Sequence, residues 1–202
     1  MRGQPDEAAL AVTAAAAACG SWDELAGLAR GCTACPELAS TRTRVVVGAA
    51  PAGARLLVLG EAPGADEDAS GLPFVGRSGQ LLDLLLTEVG GDRARTAVLN
   101  TLKCRPPANR PPRPAESAHC RGWTERQLDL VDPALVVTLG LSATRWFLGP
   151  VALGAVRGRV HEARGRQVLP TYHPSAALRF GPRGEPRRLL REDLALAARL
   201  TA

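Results

Sequence analysis

Residues 55–64 read Arg-Leu-Leu-Val-Leu-Gly-Glu-Ala-Pro-Gly, and this stretch decides the fold. The four consecutive apolar residues 56–59 are typical of a strand that is buried on both faces, as in a parallel sheet. A turn is expected from Gly60 to Gly64, because Gly and Pro interrupt regular structure. The carboxylate of Glu61 therefore follows directly after a buried strand, where the ligand crevice of an open α/β sheet lies.

Strands and helices alternate along the rest of the chain. Apolar runs predict further strands at 96–100, 135–140 and 168–171. Periodicity and end signals predict helices at 21–30, 80–89, 115–131, 141–148 and 187–200. Five prolines between Pro106 and Pro114 predict a loop. This alternation predicts an α/β fold, a three-layer αβα sandwich with a central four-stranded parallel sheet.

The composition excludes several classes of protein. With 202 residues, 46% of them apolar and 22% charged, the sequence predicts one folded core and excludes disordered and collagen-like chains. No apolar run reaches the ~18 residues that a membrane helix needs. The Ala-rich segment 8–19 lacks a basic start and a cleavage signal, so it is not interpreted as a signal peptide. We therefore expect an intracellular protein.

Charge is distributed unevenly. The net charge is +5, and Lys103 is the only lysine among the 25 basic residues. Residues 157–191 contain nine Arg and two Glu, so this segment carries a net charge of +7. Two interpretations remain open for it: a solvated basic surface, or a face that binds a polyanion. The chain has only seven aromatic residues. This scarcity argues against an RNA-recognition sheet or a single-strand-binding groove, because both stack successive bases on aromatic rings.

Four of the five cysteines have a spacing typical of a metal site. Cys32 and Cys35 form a C-x2-C pair, and Cys104 and Cys120 lie far downstream. The alternative to a metal site is four scattered core cysteines, since free Cys is among the most buried residue types. Disulfides are not expected in an intracellular chain, so the group that a metal site would bind is zinc or an iron–sulfur cluster. The spacing alone does not decide between the two metals. Cys19 is expected to be a buried apolar residue in the first helix.

The loop after the first strand excludes one common ligand. It lacks the G-x-G-x-x-G pattern, and four acids between Glu61 and Asp68 would repel a dinucleotide pyrophosphate. Glu61 is instead a candidate base or water-orienting group. Asn100 and residues 172–174 follow other predicted strands, so we expect them in the same crevice.

Several motifs together resemble the family 4 uracil-DNA glycosylases. They are Gly60-Glu-Ala-Pro-Gly64, Pro73-Phe-Val-Gly76, Asn100 with Lys103-Cys-Arg-Pro-Pro107, and His173-Pro-Ser-Ala-Ala177. The resemblance runs from about Gly31 to the C-terminus. It implies a glycosylase domain at 31–202, preceded by an N-terminal helical extension at 1–30. It also implies a [4Fe-4S] cluster rather than zinc, with the ligands Cys32, Cys35, Cys104 and Cys120.

The resemblance assigns a role to each residue of the crevice. Glu61 holds or activates the water that attacks C1′, and His173 hydrogen-bonds uracil O2 as negative charge develops there. Phe74 stacks on the extruded uracil, with its ring exposed by the Pro and Gly around it. The Asn100 amide accepts from N3–H and donates to O4. The remaining uracil-binding residues implied are Ala62 and, as the block against the methyl group of thymine, Glu67.

Further residues are implied in contacts with DNA. Leu178 and Arg179 form the wedge that fills the vacated stack. Lys103, Arg105 and the arginines of 157–191 bind phosphates. The partner implied is uracil-containing DNA, single- or double-stranded, with no membrane. We expect a monomer in the cytoplasm, associated with the nucleoid.

Two alternatives to a hydrolytic glycosylase were weighed. One is a relative that becomes covalently trapped on the abasic sugar through a histidine in a basic insertion. The stretch between Asn100 and Cys120 is short and Pro-rich and has no such insertion. The other is a non-catalytic, metal-stabilised DNA-binding module, against which the presence of Glu61, Asn100 and His173 argues.

Overall fold

The structure, a computed structural model, describes residues 6–202. Five strands form one sheet: β1 (Leu56–Gly60), β2 (Thr96–Asn100), β3 (Leu135–Leu139), β4 (His161–Ala163) and β5 (Arg166–Thr171). Ten α-helices accompany them in the described part: α1 (Glu7–Ala17), α2 (Trp22–Arg30), α3 (Pro36–Thr41), α4 (Ala65–Ser70), α5 (Arg77–Glu88), α6 (Pro114–Val131), α7 (Leu141–Leu148), α8 (Leu153–Val156), α9 (Pro174–Phe180) and α10 (Glu185–Thr201). Two short 3-10 helices lie at Arg93–Arg95 and Pro107–Asn109. None of these helices is long and apolar enough to cross a bilayer.

The sheet has the order β2-β1-β3-β5-β4. The four predicted strands are parallel, as expected. The fifth strand, β4, was not predicted: its three residues pair antiparallel to β5 at the sheet edge. A strand this short and polar gives no apolar run in the sequence. The turn that joins it to β5 contains Arg164 and Gly165, both with positive φ.

Helices cover both faces of the sheet, which confirms the three-layer αβα architecture. Successive side chains of a strand point to opposite faces. Leu56 and Val58 pack in one core with residues of α5, α9 and α10. Leu57 and Leu59 pack in another core with residues of α6 and α7. All five residues of β1 are buried, as the apolar run predicts.

A third apolar cluster lies beside the sheet and brings the N-terminal helices into the fold. It joins residues of α1, α2, α3 and α6 around all four spaced cysteines and includes the buried Cys19, which follows the end of α1. Gly122 of α6 allows α1 to cross closely, since a Cβ there would lie 2.7 Å from Cα of Thr13. Most of the predicted extension is therefore packed against α6; residues 1–5 lie outside the described residues.

The strand order indicates where a ligand is expected to bind, at the carboxyl ends of β1 and its neighbours. From β1 the chain moves to β2 on one side and later to β3 on the other. Between such strands the connections diverge, which opens a crevice. Glu61 follows β1, and Gly140 follows β3.

Candidate active site and cysteine pocket

Gly60 allows an amide and an aromatic ring to meet at the end of β1. It pairs in register with Asn100, the last residue of β2. A Cβ on Gly60 would overlap Oδ1 of Asn100 and lie 2.6 Å from Cζ of Phe74. Together with Glu61 and His173, these three residues form what we call the strand-end site.

Phe74 is held in an unusual backbone conformation. Its φ is +53°, in the left-handed region that non-glycine residues rarely adopt. Its carbonyl lies against Gly79, where a Cβ would overlap it. The side chain is only 6% exposed and borders the core beneath α5, so the sequence-based expectation of an exposed ring is wrong. The ring centroid lies 5.9 Å from that of His173.

Glu67 ties together the two loops that border the site. Its carboxylate accepts hydrogen bonds from the backbone N–H groups of Gly64 at 3.0 Å, Val75 at 2.9 Å and Gly76 at 2.9 Å. These bonds connect the turn after β1 to the segment that carries Phe74. The acid predicted to block the thymine methyl group thus has both carboxylate oxygens bound to backbone.

Glu61 is fixed through its main chain. Its carbonyl accepts from the backbone N–H of Leu102 at 3.0 Å and from Oγ1 of Thr101 at 2.8 Å. Within residues 6–202 its carboxylate makes no hydrogen bond or ion pair, which leaves it available to a water molecule. Ala62 is half-buried and packs against the cluster around the cysteines.

His173 caps α9 and is held as the neutral ring. Its Nδ1 accepts the backbone N–H of Ser175 at 3.1 Å, so the ring proton of the neutral form lies on Nε2. Burial lowers the pKa of His173 to about 4, and the negative charge of Glu67 opposes this shift only in part. The imidazole can therefore donate one hydrogen bond from Nε2 at neutral pH.

All four spaced cysteines line one apolar pocket, which we call the cysteine pocket. The volume that the centre of a water-sized sphere can occupy in it is about 10 Å³. Burial raises the pKa of Cys35 and of Cys120 to about 12, so these sulfurs keep their protons unless a metal replaces them. No three His, Cys, Asp or Glu side chains of residues 6–202 are grouped to hold a single ion. The sulfur donors and the apolar lining of this pocket fit a metal–thiolate group.

Cationic groups and hydrogen-bond donors surround this pocket. Arg42 donates from Nη1 to Sγ of Cys104 at 3.2 Å, and the backbone N–H of Lys103 donates to Sγ of Cys120 at 3.3 Å. The indole N–H of Trp123 is buried without a partner among the described residues. Among residues 6–202, no Asp or Glu lines the pocket. Cations and free donors fit a negatively charged metal–thiolate group with acceptor sulfurs.

The residues predicted to contact DNA differ in how far their side chains are exposed to solvent. Lys103 is 1% exposed, and its ammonium donates to the carbonyl of Asn100 at 2.6 Å, so this placement does not support a phosphate contact. Leu178 is half-buried against the sheet core. Arg105 is partly exposed and donates to Asn109, whereas Arg179 is exposed.

Sequence reasoning missed Phe180. It is 65% exposed, the largest exposed fraction among the large apolar side chains of the described part. It ends α9, directly after Arg179, and a short turn leads from it to α10. The Arg-Phe-Gly-Pro-Arg-Gly sequence of 179–184, an aromatic residue between cations in a turn, is the signal that could have identified it.

Intramolecular ion pairs reduce the number of arginines in segment 157–191 that are free to bind a polyanion. Five of the nine arginines in 157–191 bind acids of the chain: Arg157 with Asp193, Arg164 with Glu125, Arg166 with Asp129, Arg188 with Glu192 and Arg191 with Glu88. Arg179, Arg183 and Arg187 form no ion pair with any acid between residues 6 and 202. Arg159, the ninth, bonds only to the carbonyl of Ala155 among the described residues. Three of the four arginines without an ion pair in this segment are therefore close to Phe180 in sequence.

Comparisons with known proteins agree with this arrangement. The profile of the Uracil DNA glycosylase superfamily matches residues 47–195. The type-4 uracil-DNA glycosylase of Thermotoga maritima is 43% identical over 166 residues, covering 81% of this chain and 85% of that protein. Its counterpart from Sulfurisphaera tokodaii is 37% identical over 172 residues, with 80% and 76% covered. The chain therefore belongs to the uracil-DNA glycosylase superfamily, and within it to the type-4 branch.

Proposed function

We propose that this chain is a DNA repair glycosylase that extrudes uracil from DNA and hydrolyses its N-glycosidic bond. The products are free uracil and an abasic site. The observation that carries the proposal is that the Asn100 amide and the Phe74 ring meet at Gly60, with the neutral His173 imidazole 5.9 Å from the Phe74 ring. These are groups that read a base edge, stack on a base and donate to a carbonyl oxygen.

Asn100 supplies the choice of base. Its side-chain oxygen accepts from uracil N3–H, and its side-chain nitrogen donates to O4. Cytosine presents the opposite pattern at these two positions, so it would leave buried polar groups unpaired in the same pose. Phe74 stacks on the base, and we place Ala62 beside it.

His173 and Glu61 carry the chemistry. The Glu61 carboxylate orients a water molecule and takes its proton as the water oxygen bonds to C1′. The C1′–N1 bond breaks, and its electron pair leaves with the uracil anion. The Nε2–H group of His173 donates to uracil O2, where part of this negative charge develops. A neutral donor is suited to this task because it needs no proton from solvent.

DNA is engaged around the α9–α10 turn. Extrusion of a nucleotide costs a few kcal/mol, which protein groups placed in the vacated stack offset. Leu178 is packed against the core, so we assign the wedge to the exposed Phe180, with Arg179 beside it. Arg183 and Arg187 bind phosphates, which predicts an affinity that falls steeply with salt.

The four cysteines of the cysteine pocket would hold a [4Fe-4S] cluster, with zinc as the alternative. The apolar lining, the sulfur donors and the surrounding cations all fit an anionic cluster. When bound, the cluster supplies a cross-link between segments 32–35, 104 and 120, and so stabilises the Pro-rich loop between Cys104 and Cys120.

Release of free uracil by the purified holoprotein from a duplex with a single U:G pair tests the proposal. Asn100→Ala should lose most of this activity while duplex binding persists. Turnover by that variant at the wild-type rate would contradict the pocket assignment. A protein–DNA adduct that survives a denaturing gel would favour the covalently trapped alternative. Binding by the wild type without uracil release would favour the non-catalytic one.

A further inference from the structure

Lys103 lies between the two sites described above. Its side chain is 1% exposed, and its ammonium donates to the backbone carbonyl of Asn100 at 2.6 Å. Its own backbone N–H donates to Sγ of Cys120 at 3.3 Å. A single residue thus contacts the amino acid that reads the base and a ligand of the cysteine pocket.

The buried ammonium lacks a counter-charge from carboxylates. An ammonium group has three donors, and burying a charge costs several kcal/mol unless it is paired. Within residues 6–202 Lys103 forms one side-chain hydrogen bond and no ion pair with Asp or Glu. The cysteine pocket, which Lys103 lines, contains four thiols that become negatively charged thiolates on metal binding.

The choice of lysine at this position is itself informative. Every other basic residue of the chain, 24 in all, is arginine. An ammonium is compact and presents three rotatable donors, whereas a guanidinium is a larger planar fork. Beside a single carbonyl acceptor and a bound cluster, the compact ammonium of lysine fits better than the planar guanidinium of arginine.

We propose that Lys103 is a positioning residue that links the cluster to uracil recognition. Its charge compensates the thiolate-bound cluster, and its hydrogen bond holds the main chain of Asn100, whose side chain reads the base. The inference rests on the proposed glycosylase function. It assigns Lys103 a role that replaces the DNA contact predicted from sequence.

Two substitutions separate the charge from the hydrogen bond. Lys103→Met removes both, and Lys103→Gln removes the charge but keeps an amide donor for the Asn100 carbonyl. The readouts on the holoprotein are the rate of iron release to a chelator and the inhibition constant of free uracil. Arg105→Met is the matched control, because it removes a partly exposed cation two residues further along the same loop.

We expect both Lys103 variants to release iron at least about tenfold faster than the wild type, since each leaves the cluster uncompensated. Lys103→Met should also raise the inhibition constant of uracil about tenfold, whereas Lys103→Gln should stay close to the wild type. Arg105→Met should leave both quantities unchanged and weaken only DNA binding. If Lys103→Met does not fold, the iron release of Lys103→Gln still tests the charge.

Wild-type iron release by the Lys103 variants would overturn the charge compensation, and wild-type uracil inhibition of Lys103→Met would overturn the link to Asn100. Failure of the proposed function is distinguishable. In that case the wild-type holoprotein itself releases no uracil from DNA and is not inhibited by uracil, while the iron-release comparison still tests Lys103.

Discussion

The rings of Phe74 and His173 lie with their centroids 5.9 Å apart and their planes inclined by 37°. They come from different parts of the chain: Phe74 from the loop before α5, and His173 from the N-terminal end of α9. The Phe74 ring also approaches Gly60, where a Cβ would lie 2.6 Å from Cζ of the ring. The positions of these rings therefore depend on the space at residue 60.

Gly60→Ala should abolish most uracil excision without unfolding the protein. The added methyl group would overlap Oδ1 of Asn100 and displace the Phe74 ring. Misplacement of reacting groups by about 1 Å costs roughly 100-fold in rate, so a loss of at least that size is expected in single-turnover excision. Gly27→Ala is the control, because a Cβ there meets no atom within 4 Å. Equal loss in both variants would contradict the steric explanation.

The lowered pKa of His173 predicts an unusual pH profile. The neutral ring accepts from Ser175 at Nδ1 and donates from Nε2, so the single-turnover rate should not fall through pH 6.5 on account of His173. It should fall only as the pH approaches about 4. His173→Ala should lower the rate by ~10²–10⁴-fold. A break near pH 6.5 in the wild type that vanishes in His173→Ala would show that the ring titrates normally.

The free energy of unfolding should depend on pH through the same residue, His173. The unfolded chain binds a proton at His173 near pH 6.5, whereas the folded protein binds it only near pH 4. Between these values the unfolded state holds more protons, so the contribution of His173 to stability is complete above pH 6.5 and is lost as the pH falls toward 4. Chemical denaturation of the wild type and of His173→Ala across this range measures the difference.

Removal of one ligand should distinguish iron–sulfur from zinc. The wild-type protein should be brown, with absorbance at about 400 nm, and Cys32→Ala should lose this colour. Cys19→Ala should keep it, because Cys19 is buried in the core and its Sγ donates to the carbonyl of Ala15. A colourless wild type that contains stoichiometric zinc would contradict the cluster assignment.

Substitution of Phe180 should affect the rate of uracil excision, whereas substitution of Leu178 should affect folding stability. Phe180→Ala removes an exposed ring, so it should slow excision from duplex DNA by about tenfold while thermal stability stays unchanged. Leu178→Ala removes core packing and should lower the free energy of unfolding by about 2 kcal/mol. The effect of Phe180→Ala should be small on single-stranded substrate, where no stack is vacated. Equal effects on both substrates would exclude a wedge.

Residues whose surroundings follow from local pattern were predicted correctly. The apolar runs identify β1 and β2, and α7 has the predicted bounds, because buried strands and short amphipathic helices have strong local signals. Lys103 was misplaced because charge suggests solvent, and only the three-dimensional approach of Cys120 and the Asn100 carbonyl buries it. The covering of Phe74 likewise depends on Gly60 and His173, which are distant in sequence. The short β4 lacked any apolar signal.

The edges of the sheet have a consequence for the behaviour of the protein at high concentration. At one edge β4 occupies the backbone groups of β5 with only three residues. At the other, Ala49 exchanges two hydrogen bonds with Val98 of β2, at 2.9 and 2.7 Å. Exposed strand edges are the usual templates for intermolecular β-pairing. Because both edges are partly covered, concentrated preparations should resist aggregation by strand addition.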